Sequence, residues 1–158
     1  PFKLVAKNSL LDHGEGVFLI TNLRQLEDCL NQGFLVQEYL PEKLDLRVIV
    51  VGNSALGCIH RIPALGEFRA NIGHGDSGAR AEAYPLSPEL SEMAVKATAA
   101  VGLDISGVDI LVDQNDRKYI LEVNHSPQYD TDPFFVNFMK LTGVNVTAKI
   151  ADLIESRL

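Results

Sequence analysis

Asp109, Glu122 and Asn124 are the residues of this chain whose types and spacing could do chemistry together. Between the two carboxylates stands the polar run Gln114-Asn115-Asp116-Arg117, flanked by β-branched and apolar residues at 107–112 and 118–123. That pattern predicts a hairpin. A two-residue turn at Asn115-Asp116 suits the positive backbone angles of a tight connection. It would pair Gln114 with Arg117, Val112 with Tyr119 and Asp109 with Glu122. Opposed residues share a sheet face with Cβ atoms about 5 Å apart, and Asn124, two residues beyond Glu122, shares that face. Two carboxylates so close repel unless something positive sits between them. With no protein cation expected there, they and the amide carbonyl form an all-oxygen set for Mg²⁺ (or Mn²⁺). Mg²⁺ usually keeps waters and takes substrate phosphates as its other ligands. The plainer alternative is a polar face on an exposed hairpin.

Several elements must position this set. Residues 2–7 alternate as a strand ending on Lys7, and the polar stretch 8–16 closes on Gly14-Glu15-Gly16 before the apolar run at 17–20. A strand, a glycine-bearing loop and a second strand can fold over a phosphate chain, because glycine lets backbone N–H groups come close. Asn22 caps a short helix with Leu23, Leu26 and Leu30 on one core-facing stripe, and Gly33 lies past its end. A strand over 34–40 is stopped by Pro41. Pro41-Glu42-Lys43 reads as a hinge between a small lobe, 1–40, and a larger one, 41–158. Residues 45–51 and 55–61 flank Gly52-Asn53-Ser54 as a hairpin. The stretch 63–80 is polar and rich in glycine, and it carries Arg69, Asn71, His74 and Asp76. Such a long loop inside a domain is more often functional than filler. Ser87 and Pro88 open a helix with Leu90, Met93, Ala94, Ala97 and Val101 as its stripe. After the carboxylate hairpin, a helix beginning at Asp132-Pro133 carries Phe135, Phe138 and Met139 as far as Gly143. Val146, Ile150, Leu153, Ile154 and Leu158 space a last amphipathic helix. The class is α+β.

At 158 residues the chain can bury a real core. A net charge of −7 argues against a nucleic-acid partner, since a polyanion binder needs a basic footprint. No apolar run reaches the roughly 18 residues of a membrane span, so no membrane partner is expected. Cys29 and Cys58 lack metal-ligand spacing and read as reduced core residues of a cytoplasmic protein.

The ordered motifs resemble the ATP-grasp superfamily, most closely the RimK-type carboxylate–amine ligases. They are the strand ending in Lys7, Gly14-Glu15-Gly16-Val17, Gln37-Glu38-Tyr39-Leu40, Asp45-Leu46-Arg47, Gly66-Glu67-Phe68-Arg69-Ala70-Asn71, Gly107-Val108-Asp109-Ile110-Leu111 and Glu122-Val123-Asn124-His125-Ser126-Pro127. The resemblance implies two α+β lobes with antiparallel sheets that clamp ATP, phosphorylate a carboxylate and let an amine displace the phosphate. It implies that Lys7 holds the α-phosphate under the Gly14 and Gly16 loop, that Glu38 and Tyr39 frame the adenine, and that Asp45 binds the ribose. Arg69 and Asn71 would sit at the phosphates, and Asp109, Glu122 and Asn124 would ligate magnesium. Arg69, supported by Arg61, would be the fixed cation for the tetrahedral adduct. The substrates implied are small-molecule or peptide carboxylates and amines; the alternative is a non-catalytic or truncated ATP- and Mg-binding module. In the enzymes it resembles another domain precedes the ATP-grasp unit. The small lobe is therefore expected to leave an apolar edge that self-associates or pairs with that missing domain.

Overall fold

The computed structural model describes residues 3–8, 16–63, 80–125 and 133–158, with backbone alone at 133–137. The expectations for Phe2, Gly14, Arg69, Asn71, His74, Asp76, Ser126-Pro127, Asp132 and the side chain of Phe135 lie outside the described residues. The chain clusters into two compact units, Pro1–Pro41 and Glu42–Leu158.

In the first unit, β1 (Leu4–Lys7), β2 (Val17–Ile20) and β3 (Leu35–Glu38) form an antiparallel sheet in the order β2-β1-β3. Helix α1 (Leu23–Asn31) starts where Asn22 accepts the backbone N–H of Gln25 at 3.0 Å, and Gly33 past its end has φ of 77°. Val5, Ala6 and Ile20 are buried, but α1 contributes no buried residue. The expected core-facing stripe is thus corrected: Leu23 and Leu30 are exposed, as are Phe18 and Leu35. A sheet of three four-residue strands has too little area to cover them.

The second unit is built on five antiparallel strands in the order β6-β5-β4-β7-β8. These are β4 (Glu42–Val51), β5 (Ser54–Ile62), β6 (Arg80–Tyr84), β7 (Ile105–Asp113) and β8 (Lys118–Asn124). Three helices accompany them: α2 (Pro88–Ala100), α3 (Pro133–Thr142) and α4 (Val146–Glu155). Glu42 and Lys43 belong to β4, with Glu42 opposite Asp113, so the second unit begins on the strand that directly follows Pro41. The edge strand β6 was not expected. Its alanines at 81 and 83 carry little strand preference, yet it pairs with β5 from Cys58 to Ile62.

Alternation divides β4 between two cores. Leu46, Val48 and Val50 join Cys58, Val108, Ile110 and Val112 beneath Leu90 and Ala94 of α2. Ile49 and Val51 join Ile59 on the other face, against Phe138 of α3 and Val146 of α4. Gly57 belongs to this second packing, since a Cβ there would lie 3.0 Å from Cζ of Phe138. Both cysteine thiols are free, with Cys58 buried and Cys29 half-buried. Along the second face the apolar half ends at Ile49 and Ile59. Beyond it, toward Asp45 and Arg61, the same face turns charged.

The hairpin connection also differs from expectation. The Asp113 N–H donates to the Arg117 carbonyl at 2.9 Å, the Asp116 N–H donates to the Asp113 carbonyl at 3.1 Å, and Asp116 has φ of 61°. Gln114 and Asn115 therefore make the turn and Asp116 adds a left-handed third residue, a common three-residue connection. Val112 then opposes Lys118 rather than Tyr119, and Leu111 opposes Tyr119. A bulge at Leu121 absorbs the offset, so Asp109 does oppose Glu122, and Gly107 opposes Asn124.

Candidate functional site

The alternating register lines up charge across three strands. Arg61 on β5 stands opposite Asp45 on β4, Arg47 on β4 opposite Asp109 on β7, and Asp109 opposite Glu122 on β8. Asp109 is buried, and both of its oxygens are engaged. Arg47 donates from Nε to Oδ1 at 2.6 Å and from Nη2 to Oδ2 at 2.8 Å, while Arg61 Nη1 lies 3.1 Å from Oδ2. Arg61, also buried, donates from Nε to Asp45 Oδ1 at 2.9 Å, and its Nη2 reaches the same oxygen. No protein cation was expected between Asp109 and Glu122, and two guanidinium groups contact Asp109 itself.

Their effect on ionisation follows. Burial opposes charge on Asp109, but Arg61 and then Arg47 outweigh it and hold the carboxyl below its ordinary value. Burial raises Asp45, with Arg61 opposing and Asp109 adding to the rise. Glu42, three residues before Asp45 on β4, is pushed up to about 7 by burial and by the Asp45 charge, against the pull of Arg61. Glu122 is exposed. The Nδ2 atom of Asn124 is buried and lacks a hydrogen-bond partner among the described residues. Turning that amide over would bring Oδ1 to the same place, a hard acceptor with nothing to accept. Among the described residues no three His, Cys, Asp or Glu side chains gather as a metal cluster. A cation here would rest on two carboxylates and one amide, with the remaining ligands from outside the protein. The residues fit Mg²⁺ on those terms, because Asp109 Oδ1 accepts one described N–H, Glu122 is accessible and the Asn124 amide is unsatisfied.

Of the residues proposed for the nucleotide, Lys7, Gly16, Glu38 and Tyr39 fall within the first unit and Asp45 within the second. Lys7 ends β1 opposite Val17 and Leu35, whereas Glu38 ends β3 opposite Leu4. They sit at opposite ends of the sheet, three residues or about 10 Å apart along the strand direction. Gly16 stands just before β2, and the Asn8 N–H donates to its carbonyl at 2.9 Å. A Cβ on Gly16 would come within 2.7 Å of the Asn8 Cβ, so only glycine fits there. The Lys3 ammonium stands 5.4 Å from the Tyr39 ring centroid. Two residues near the charged row, Arg47 and Glu42, were given no role from sequence. The signal for Arg47 was present, since a strand residue two places from Asp45 must share its face.

The RimK-like ATP-grasp domain family matches residues 1–154. The chain belongs to that family. Its curated relatives are named as ligases. It is 40% identical over 122 residues to a probable alpha-L-glutamate ligase of Parasynechococcus marenigrum (strain WH8102), covering 72% of this chain and 25% of that protein. It is 35% identical over 128 residues to the ribosomal protein bS6–L-glutamate ligase of Escherichia coli O81 (strain ED1a), covering 80% of this chain and 39% of that one. The chain thus spans well under half the length of these relatives. The ATP-grasp ligase PsnB, solved with its minimal precursor, has the same fold at a TM-score of 0.72 and 22% identity, over 97% of this chain and 48% of PsnB. PsnB has also been solved with a variant precursor, Mg and ADP, at a TM-score of 0.68 and 20% identity, over 98% of this chain and 46% of PsnB. The ATP-grasp fold, with antiparallel sheets, is as expected from the motif order. No helix among the described residues is long and apolar enough to cross a membrane.

Proposed function

We propose that this RimK-like ATP-grasp chain carries the nucleotide- and metal-binding part of a ligase that joins a carboxylate to an amine or amino acid. In the first step a substrate carboxylate oxygen attacks the γ-phosphorus of ATP, forming an acyl phosphate and releasing ADP. In the second an amine attacks the acyl carbon, the amide bond forms, and inorganic phosphate and a proton leave. Neither step needs a covalent bond to the protein. The demand is for positioning and for neutralising charge that builds on oxygen.

The proposed roles follow the side chains. Lys7 neutralises phosphate oxygens, and backbone near Gly14 and Gly16 approaches them closely. Glu38 and Tyr39 contact the base, and Asp45 contacts the ribose. Arg69 and Asn71 act at the transferring phosphate, and Arg69 also holds the oxyanion of the tetrahedral adduct. Asp109, Glu122 and Asn124 would hold Mg²⁺, which when bound supplies Lewis-acid neutralisation of phosphate oxygens. Arg61, fixed between Asp45 and Asp109, contributes a positive charge that cannot swing away. An amino acid or a peptide terminus is the acceptor this reading favours, because the relatives' names include a glutamate ligase acting on a ribosomal protein.

The observation that carries the reading is the placing of Asp109, Glu122 and the unsatisfied Asn124 amide on one sheet face, beside two guanidinium groups. Oxygens for a cation and cations for phosphate are both present. The test is nucleotide binding by isothermal titration calorimetry, with Mg²⁺ and then with EDTA. Metal-dependent ATP binding that weakens in Glu122→Gln is expected. Equal affinity in parent and variant would remove the metal assignment, and no ATP binding in either medium would remove the nucleotide reading.

A further inference from the structure

We propose that Arg47 makes cation capture at Asp109, Glu122 and Asn124 depend on phosphate, so that the free ion is refused and only the ion accompanied by nucleotide is held. This rests on the metal reading above and adds a cause for the order in which ligands are accepted. The geometry that carries it is the fork of Arg47. Its Nε occupies Asp109 Oδ1 at 2.6 Å and its Nη2 occupies Oδ2 at 2.8 Å, with Arg61 Nη1 adding a third contact at 3.1 Å. A cation approaching Asp109 must share Oδ1 with an N–H and must sit beside a fixed positive charge.

Counting the charged row gives the same answer. Among the described residues of the row, Asp45, Asp109 and Glu122 supply three negative charges, and Arg47 and Arg61 supply two positive ones, a net charge of −1. One dication would overshoot to +1 at a place where Asp109 and Arg61 are almost out of water. Charge left uncompensated in such surroundings is costly. Phosphate oxygens arriving with the ion remove the excess and give the guanidinium groups an anionic neighbour. Binding of the two ligands is then coupled, and coupling is reciprocal: the nucleotide tightens the ion as much as the ion tightens the nucleotide.

Loss of Arg47 has a consequence that misfolding cannot imitate. The row falls to −2, one dication neutralises it, and Asp109 Oδ1 regains an acceptor site. Free-ion binding should improve while nucleotide binding weakens. Arg47→Lys keeps the charge and loses the fork. Arg47→Met keeps an apolar stem beside Gly107, where the Arg47 Cδ now packs 3.5 Å from the place a Cβ would occupy.

The experiment measures Mn²⁺ binding to the chain alone by the loss of the free-ion electron paramagnetic resonance signal. Equilibrium dialysis then measures a non-hydrolysable ATP analogue with Mn²⁺ or with EDTA. The parent should bind Mn²⁺ weakly on its own and retain the analogue only with Mn²⁺. Arg47→Gln and Arg47→Met should each bind Mn²⁺ alone at least tenfold more tightly and hold the analogue less well. Arg47→Lys should stay within about threefold of the parent for Mn²⁺ alone, since a full charge remains. Free-ion binding that is unchanged or weaker in both Arg47→Gln and Arg47→Met overturns the proposal, as does a parent that binds Mn²⁺ equally well with and without the analogue. Analogue binding by the parent that ignores EDTA refutes the underlying metal reading instead, and is seen before any variant is made.

Discussion

Asp109 and Glu122 face each other across β7 and β8, yet loss of the carboxylate charge should cost much at one and almost nothing at the other. Asp109→Asn removes the charge shared by Arg47 and Arg61. Arg61 keeps only Asp45 among the described carboxylates, and it is buried. Breaking a buried pair by neutralising one member costs about 3–5 kcal/mol. Asparagine keeps the shape and one acceptor oxygen, so the lower end, about 3 kcal/mol, is the expected loss. At about 4 °C per kcal/mol for a unit of this size, the melting transition should fall by about 12 °C. Glu122→Gln changes an exposed side chain, and its expected effect is within about 0.5 kcal/mol. Urea unfolding of parent and both variants, followed by circular dichroism at pH 7.5 without nucleotide, gives the comparison directly. An Asp109→Asn protein within 0.5 kcal/mol of the parent would refute the buried-network reasoning. A Glu122→Gln protein destabilised as much as Asp109→Asn would show that Glu122 has a folding role and not chiefly a ligand one.

Three further outcomes are expected. Glu42 is neutral in the folded chain to about pH 7 but ionises near 4.5 when unfolded, so the folded state holds the extra proton between these values and stability falls as pH rises through them. The full shift would be worth about 3 kcal/mol, and part exposure of the side chain reduces this to about 1–1.5. Glu42→Gln should therefore raise stability by that amount at pH 8 and hardly at all at pH 4.5, as read by denaturant midpoints at the two values. Phe138→Ala empties a fully buried position against Ile49 and Ile59 and should cost about 3–5 kcal/mol, measured the same way. Ser87→Ala removes the oxygen that accepts the Leu90 N–H at 3.2 Å and should cost about 1 kcal/mol, with amide exchange quickening first at the start of α2.

What could be read in the sequence was local. Caps at Asn22 and Ser87, the left-handed glycines at 33 and 143, and the stripe Leu90–Ala94 all follow from neighbours within one turn. The pairing of Asp109 with Glu122 was legible too, because a hairpin is local. Less visible were features that depend on distant strands. The Arg47 and Arg61 contacts to Asp109 join residues 62 and 48 positions away in sequence, and only the order β5-β4-β7 brings them together. Edge strand β6 owes its existence to the open side of β5, since its own residues argue weakly for a strand. Leu23 and Leu30 were read as core because an apolar stripe usually finds a core, and the small sheet of the first unit does not supply one.

The bulge at Leu121 shows folding and site placement depending on one irregularity. Ile110 and Val108 are two residues apart on β7 and point to the α2 core, but the residues opposite them, Ile120 and Val123, are three apart on β8. Strict alternation cannot keep both on one face, because side chains repeat every second residue. An extra residue must be absorbed between them, and Leu121 is that residue. Without it, Glu122 would stand opposite Val108 and turn its carboxylate into the apolar packing beneath Leu90 and Ala94. An unpaired charge there would cost several kcal/mol, and a one-residue slip would carry Asn124 across as well. Val123 packs against the α2 core while Ile120, opposite Ile110, is exposed, and the bulge between them turns Glu122 and Asn124 to the side of Asp109. The register that places the candidate ligands is enforced by the hydrophobic core on the opposite face, and needs no bound ion to hold it.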